Sequence, residues 1–199
     1  MPAPSQMLRS RPVIVWLSSH VLRLMCRHAR ELSPLENGGI LLGWRSGEYH
    51  IVVDLRGPGP RAIHGRQSFI PDHAWQVSEI NRAFEASCGD LDYLGDWHSH
   101  PDGIAKMSDL DSATLLRIAR RVNAPLMLIV AGSGADWSPQ CWKGQLAGRD
   151  FGVDWSQRRR NSKSLTRPPP GLARAQSCRR ACNDPGRARG QACGGSQAC

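Results

Sequence analysis

The apolar positions of this 199-residue chain fall into short runs whose period changes along its length. Residues 12–17 (PVIVWL) form a compact apolar run of strand type. Ser18 or Ser19 then serves as the N-cap of a helix reaching about Leu32, because Val21, Leu22, Leu24, Met25 and Ala29 recur at helical spacing before Pro34 stops them. The runs GGILLGWR (38–45) and EYHIVVDL (48–55) flank Ser46-Gly47, a two-residue hairpin signal, and residues 56–66 read as a Gly/Pro loop. Asp72 caps a second predicted helix that ends near Ser87, with Val77, Ile80 and Phe84 as its apolar stripe and Gly89 as its stop. LDYLGDWHSH (91–100) alternates like a strand, and residues 108–121 read as a third helix with Leu115, Ile118, Ala119 and Val122 on one face. PLMLIVA (125–131) is a buried-strand run, residues 140–146 form a further strand, and residues 151–155 are a last strand candidate. Helices and hairpins without a regular βαβ alternation predict an α+β fold, a central mixed sheet flanked by helices.

Charge divides the chain in two. Residues 1–155 carry 16 basic and 16 acidic side chains, so the net +9 belongs to residues 156–199, which hold ten basic residues and Asp184 alone on the acidic side. The neutral part therefore does not read as a basic nucleic-acid-binding domain. The tail has Leu165 and Leu172 as its large aliphatics and no aromatic residue, so it cannot bury enough apolar surface to offset its ordering entropy. The expected organisation is a flexible leader at 1–11, one folded domain at 12–155 and a disordered basic tail at 156–199. Three readings of the tail stay open: a solvated extension, a basic arm that touches nucleic acid or anionic lipid, and an accidental extension of GC-rich coding sequence. No apolar run approaches the ~20 residues of a membrane span, and the N-terminal run lacks the marks of a secretory signal. Seven cysteines, four of them (Cys178, Cys182, Cys193 and Cys199) crowded in the tail, do not make a disulfide framework. A cytoplasmic, reducing location is the expectation.

One stretch carries chemistry. His98 and His100, followed by Ser108 and Asp111, make the pattern H-x-H-x7-S-x-x-D. Residues i and i+2 of a strand share a face, so both imidazoles point to one place. Seven residues let the chain turn back, and a helix beginning near Ser108 brings in the Asp111 carboxylate. Two nitrogens and one oxygen form a three-ligand set for zinc with an open fourth position, the arrangement of catalytic rather than structural sites. Such a site lowers the pKa of water and polarises a carbonyl. Amide hydrolysis needs a proton carrier as well, for which Glu36 at the entry of the GGILLGW run is the candidate. It also needs a donor to the oxyanion, for which Ser108 is the candidate. Ser108-x-x-Asp111 is equally a capping box, and the two roles are compatible. From this composition the pattern arises by chance in about one such chain in a thousand, which makes it specific. His20, His28, His50, His64 and His73 have no motif partner and read as surface or satisfied residues. Trp44, Phe69 and Trp97 read first as core and second as lining of a substrate groove.

The segments ENGGILLG, YLGDWHSHP and SDLD together resemble the JAMM (MPN-plus, JAB-domain) metalloprotease family, over roughly residues 12–150. The resemblance implies one zinc ion per chain held by His98, His100 and Asp111, with Glu36 as general acid/base and Ser108 stabilising the oxyanion. It implies a JAB/MPN-like (cytidine-deaminase-like) fold and an isopeptidase that cleaves after the C-terminal glycine of a ubiquitin-like modifier. The short chain is most like bacterial stand-alone JAB proteins, some of which accompany E1- and E2-like enzymes in anti-phage conjugation systems. Met107 departs from the proline that many members place before the serine. Three other functions compete. One is a hydrolase that releases cysteine or another small adduct from a sulfur-carrier protein. A second is a non-catalytic scaffold, against which the complete set of five site residues argues. The third is tail-driven nucleic-acid binding, expected to be salt-dependent.

Overall fold

The computed structural model describes residues 14–144 and the backbone of residues 151–152. Strand β1 (Ile14–Leu17) leads into helix α1 (Ser19–Leu32), and β2 (Gly38–Ser46) and β3 (Tyr49–Arg56) follow as a hairpin. A very small second hairpin, β4 (Ile63–His64) and β5 (Phe69–Ile70), precedes helix α2 (His73–Ala86). Then come β6 (Asp92–His100), α3 (Asp109–Ala119), β7 (Leu126–Ser133), β8 (Asp136–Lys143) and the short β9 (Phe151–Gly152). The main sheet runs β1-β3-β2-β6-β7-β8-β9. β1 lies parallel to β3 and β6 parallel to β7, and the other neighbours are antiparallel. This is the expected α+β architecture, a mixed sheet flanked by helices. No helix among the described residues is long and apolar enough to cross a membrane. The leader 1–11, the tail 156–199 and the expected domain limits at 12 and 155 lie outside the described residues.

Each face of the sheet has its own core. Ser18 caps α1 by accepting from the Val21 amide (3.1 Å), and the helix buries Val21, Met25 and Ala29 completely. They pack with Leu41, Val52, Leu94, Trp97, Leu126, Leu128 and Val130 from the strands. On the opposite face Ile40, Leu42, Tyr93, Ile80 and Ala83 meet beneath α2, and Met127, Ile129 and Leu115 meet beneath α3. The alternation of β2 and β7 thus feeds two cores, which is why both strands read as continuous apolar runs.

β6 reaches the same result through a bulge. Leu41 pairs with Gly95 and Leu42 with Tyr93, so Leu94 is an extra residue. A one-residue insertion rephases every side chain beyond it. Strict alternation from Tyr93 would turn His98 and His100 toward α1. The bulge turns them toward α2 and α3 and puts Trp97 into the α1 core. Gly95 makes this possible: its φ is +151°, and a Cβ there would stand 2.0 Å from the Leu126 carbonyl oxygen.

Four local expectations need correction. The first hairpin turns at Gly47-Glu48, since Ser46 pairs with Tyr49, one residue later than the Ser46-Gly47 signal suggests. The Gly/Pro loop contains strand β4. The strand expected at residues 140–146 is β8, which begins earlier, at Asp136, and runs through Pro139. Among the described residues, β9 pairs with Trp142 and Lys143, while Pro139 pairs with Val130 of β7.

The fourth correction is the largest. The inner face of α2 is Gln76, Glu79 and Ala83, whereas Val77 and Phe84 are 41% and 48% exposed. α2 packs on β2 and β6, and its Gln76 and Glu79 reach polar partners at the end of β3. The Gln76 side-chain amide donates to the Gly57 carbonyl (3.2 Å), and Arg56 pairs with the buried Glu79 carboxylate (3.2 Å), which Arg82 also meets. Those bonds let polar side chains occupy a buried face that an apolar stripe would otherwise take.

Candidate metal centre

His98 and His100 project from the C-terminal end of β6, and Asp111 from the first turn of α3. Their Nε2 atoms lie 3.0 Å apart, and the Asp111 carboxylate is 3.2 Å from His98 and 3.7 Å from His100. One donor atom from each residue falls within 4.8 Å of the others, which makes the three a possible metal-holding group. Bonds of about 2.0–2.2 Å to a tetrahedral zinc ion place ligand atoms about 3.3–3.6 Å apart, a range that the observed 3.0, 3.2 and 3.7 Å bracket, the last two to different oxygens of Asp111. The tautomer fits as well. His100 Nδ1 faces the Ile104 carbonyl oxygen at 2.7 Å. A carbonyl only accepts, so Nδ1 carries the hydrogen and the Nε2 lone pair faces the centre. Burial alone would raise the Asp111 pKa, but hydrogen bonds from His98 and from the Ser108 amide and hydroxyl, with the charge of His98, hold it below the usual carboxylate range.

Ser108 caps α3 through a complete capping box. Its oxygen accepts from the Asp111 amide (3.1 Å), and its own amide and hydroxyl donate to Asp111 Oδ2 at 2.8 and 2.7 Å. The single hydroxyl hydrogen thus points at Asp111, and donation to a substrate oxyanion requires that it turn. The oxygen can go on accepting from the Asp111 amide whichever way the hydrogen points, so the cap and donor roles stay compatible.

Glu36 stands two residues before the strand β2 that pairs with β6, where Gly38 lies opposite His98. Its carboxyl is half-buried and lines the same cleft as His98, His100, Ser108 and Asp111. Burial pushes its pKa up to about 7; His100 opposes the rise, and Asp111 and Asp102 add to it. A carboxyl poised there can take and give a proton near neutral pH.

Several supporting residues carried no motif signal. The Asn37 amide donates to Ser99 Oγ (2.9 Å), and the Ser99 amide donates back to the Asn37 carbonyl (2.7 Å). Ser99 is fully buried, so the residue between the two histidines ties their strand to the residue after Glu36. The Asn37 side chain bonds the His28 carbonyl and the Gly38 amide, so it is satisfied at both ends. A Cβ on Gly38 would stand 2.6 Å from Phe69, so glycine lets Phe69 lie across this strand end. Deeper in the cleft, Tyr93 donates to Asp96 at 2.6 Å.

The cleft has a volume of about 730 Å³ and runs from the histidines between α2 and α3. Phe69 and Trp97 are among its lining residues, together with Val77, Ile80 and Met127, whereas Trp44 is not. Trp97 is also core, with 1% exposure, so both readings hold for it. Of the unassigned histidines, His20 is exposed and His73 lines the cleft. His50 is buried on other partners, with Nε2 2.9 Å from the Ala124 carbonyl oxygen, and burial beside Arg45 and Lys143 pushes its pKa down to about 4.

A family model described as prokaryotic homologs of the JAB domain matches residues 18–143. The probable metalloprotease y4qB of Sinorhizobium fredii is 34% identical over 145 residues, 69% of this chain and 88% of that protein. Proteins named CD-NTase/cGAS isopeptidase match as well. The one from Vibrio cholerae is 34% identical over 59% of this chain and 76% of its own length, and the one from Escherichia coli is 25% identical over 62% and 79%. Among solved structures, protein DSY2949 of Desulfitobacterium hafniense superposes with a TM-score of 0.55 at 20% identity, covering 72% of this chain and 92% of that one, which shows a shared fold. Carrying a histidine pair and an aspartate within ligand distance of one another, and matched across nearly all its described residues, this chain belongs to the prokaryotic JAB-domain family of metallopeptidases.

Proposed function

We propose that the chain is a zinc-dependent isopeptidase that cleaves the amide after the C-terminal glycine of a ubiquitin-like protein or of a protein conjugated in the same way. The observation that carries this reading is the convergence of His98, His100 and Asp111 at the head of an open cleft that also holds Glu36. His98 Nε2, His100 Nε2 and an Asp111 oxygen would hold the ion, and the mixed N/O donor set with no thiolate suits a catalytic zinc. When bound, zinc would supply Lewis acidity toward the scissile carbonyl and lower the pKa of water. Glu36 accepts the proton that water loses on attacking the carbonyl and passes it to the leaving lysine amine, so water and amide become carboxylate and free amine. The Ser108 hydroxyl, turned from Asp111, donates to the oxyanion. An extended glycine-terminated tail suits the cleft, because residues without side chains pass the narrow histidine end while apolar side chains lodge on Val77, Ile80 and Met127.

The named relatives direct the choice of substrate. We take a conjugate of a cGAS-like nucleotidyltransferase, within an anti-phage system supplied by E1- and E2-like enzymes, as the first candidate, and the cytoplasm as the place of action. The test offers the zinc-loaded full chain a cGAS-like nucleotidyltransferase joined through its C-terminal glycine to a lysine ε-amine. A cysteine adduct of a sulfur-carrier protein is offered in parallel. Metal-dependent release of the lysine partner is the expected result, with loss of both zinc and turnover in His98→Ala. Release of cysteine alone would transfer the assignment to sulfur-carrier processing, and an intact pair of substrates would end it.

A further inference from the structure

The proton carrier has to be held as firmly as the metal ligands, and the hairpin β4–β5 holds it. The Glu36 amide donates to the Gly65 carbonyl (2.8 Å). His64 Nδ1 lies 2.8 Å from the Glu36 carbonyl oxygen, and since that oxygen only accepts, Nδ1 carries the hydrogen and donates. Both backbone polar groups of Glu36 are therefore clasped by the adjacent residues His64 and Gly65. The next residue, Asn37, is fixed by its reciprocal pair with Ser99. The backbone of Glu36 is thus set by the hairpin on one side and by the histidine-bearing strand on the other.

The His64 ring is itself fixed. It stacks on Phe69 at a centroid distance of 5.5 Å and an interplanar angle of 29°. His64 and Phe69 are opposite each other in the hairpin, and Phe69 lies across Gly38. The hairpin has only two paired positions, Ile63 with Ile70 and His64 with Phe69. So short a ribbon has little stability of its own, and its grip on Glu36 rests on few bonds.

We propose that His64 is a positioning residue for the hydrolysis: its Nδ1–H, acting on the Glu36 carbonyl, sets where the Glu36 carboxyl stands in the cleft. This rests on the reading of Glu36 as the proton carrier given above. It does not require His64 to touch substrate or ion. A displacement of about 1 Å in such a group costs on the order of a hundredfold in rate. The effect falls on kcat, because no substrate contact is removed.

The experiment uses the zinc-loaded full chain and a glycine-terminated peptide joined to a lysine ε-amine, with four variants compared. His64→Phe keeps a ring on Phe69 and removes the donor. His64→Asn places an N–H at the δ position, where Nδ1 stood, and His64→Gln places it one bond further out. The expected result is kcat lowered about 10- to 100-fold in His64→Phe and His64→Gln, with KM within about twofold and zinc content unchanged. His64→Asn returns kcat to within about threefold of the parent. Glu36→Gln run alongside separates the two claims. If Glu36→Gln keeps its turnover, the proton-carrier reading fails. If Glu36→Gln is inactive while His64→Phe retains the parental kcat, the positioning role alone is overturned. Equal kcat in His64→Asn and His64→Gln overturns it as well, and this isosteric pair decides the matter should His64→Phe fold poorly.

Discussion

The two faces of the sheet are built on different terms. Beneath α1 the packing is closed: Val21, Met25 and Ala29 are fully buried against Leu41, Val52, Leu94 and Leu128. On the opposite face α2 and α3 stand apart over a cleft. There α2 turns Gln76 and Glu79 inward and leaves Val77 and Phe84 in solvent. Both faces bury a core, but only the second also leaves apolar side chains such as Val77 and Ile80 lining an open cleft. His98, His100, Asp111 and Glu36 all lie on the open face, lining the cleft.

That contrast is broken most directly at Glu36. Replacing it with glutamine is expected to lower kcat about 10²- to 10⁴-fold while zinc stays bound, measured by isopeptide hydrolysis and metal analysis. The same variant reports on stability. In the metal-free protein the Glu36 pKa rises from 4.5 to about 7 on folding, mainly through burial. The folded state thus holds the proton more tightly than the unfolded one. Its contribution to stability is complete below pH 4.5 and disappears as pH climbs through about 7. Glutamine has no such loss. Melting the metal-free proteins across this range should therefore show Glu36→Gln gaining on the parent as pH rises, and parallel curves would contradict the burial of this carboxyl.

Ser108→Ala is expected to slow the chemical step about 10²- to 10³-fold. A rate within threefold of the parent would leave Ser108 as the α3 cap alone. On the closed face, Met25→Ala should cost about 2–5 kcal/mol in denaturant unfolding, with kcat of the folded fraction unchanged. A large loss of kcat at full folding would show that the faces are coupled. The smallest effect belongs to Phe84→Ser, about 1 kcal/mol in unfolding, because about half of its side chain is already in solvent. A cost of several kcal/mol would mean that the outer side of α2 is packed.

Local signals predicted α1 well. Ser18 caps it, the buried positions are the periodic ones, and both causes lie within a few residues. The same logic misjudged α2, since a helix's period says where its apolar stripe lies but not whether the core or a cleft receives it. Gln76 and Glu79 are buried because the Gly57 carbonyl and Arg56, distant in the chain, stand ready as partners. The proximity of His98, His100 and Asp111 was legible, because H-x-H on a strand and Asp111 at a helix start bring these side chains together. The capping box was legible for the same reason. His64 was not, for its partner is a backbone carbonyl 28 residues away, and no side-chain pattern advertises a carbonyl.

By itself the chain determined which groups meet: two imidazoles two apart, a carboxylate a helical turn beyond Ser108, and an acid before a strand. Spacing along one element dictates direction, so short-range order was enough. The tertiary structure decided which side of the sheet those groups occupy. The extra residue at Leu94, accommodated by Gly95 against the Leu126 carbonyl, turns His98 and His100 to the open face. A bulge is a property of two strands in register, and a single strand's alternation carries no record of its neighbour.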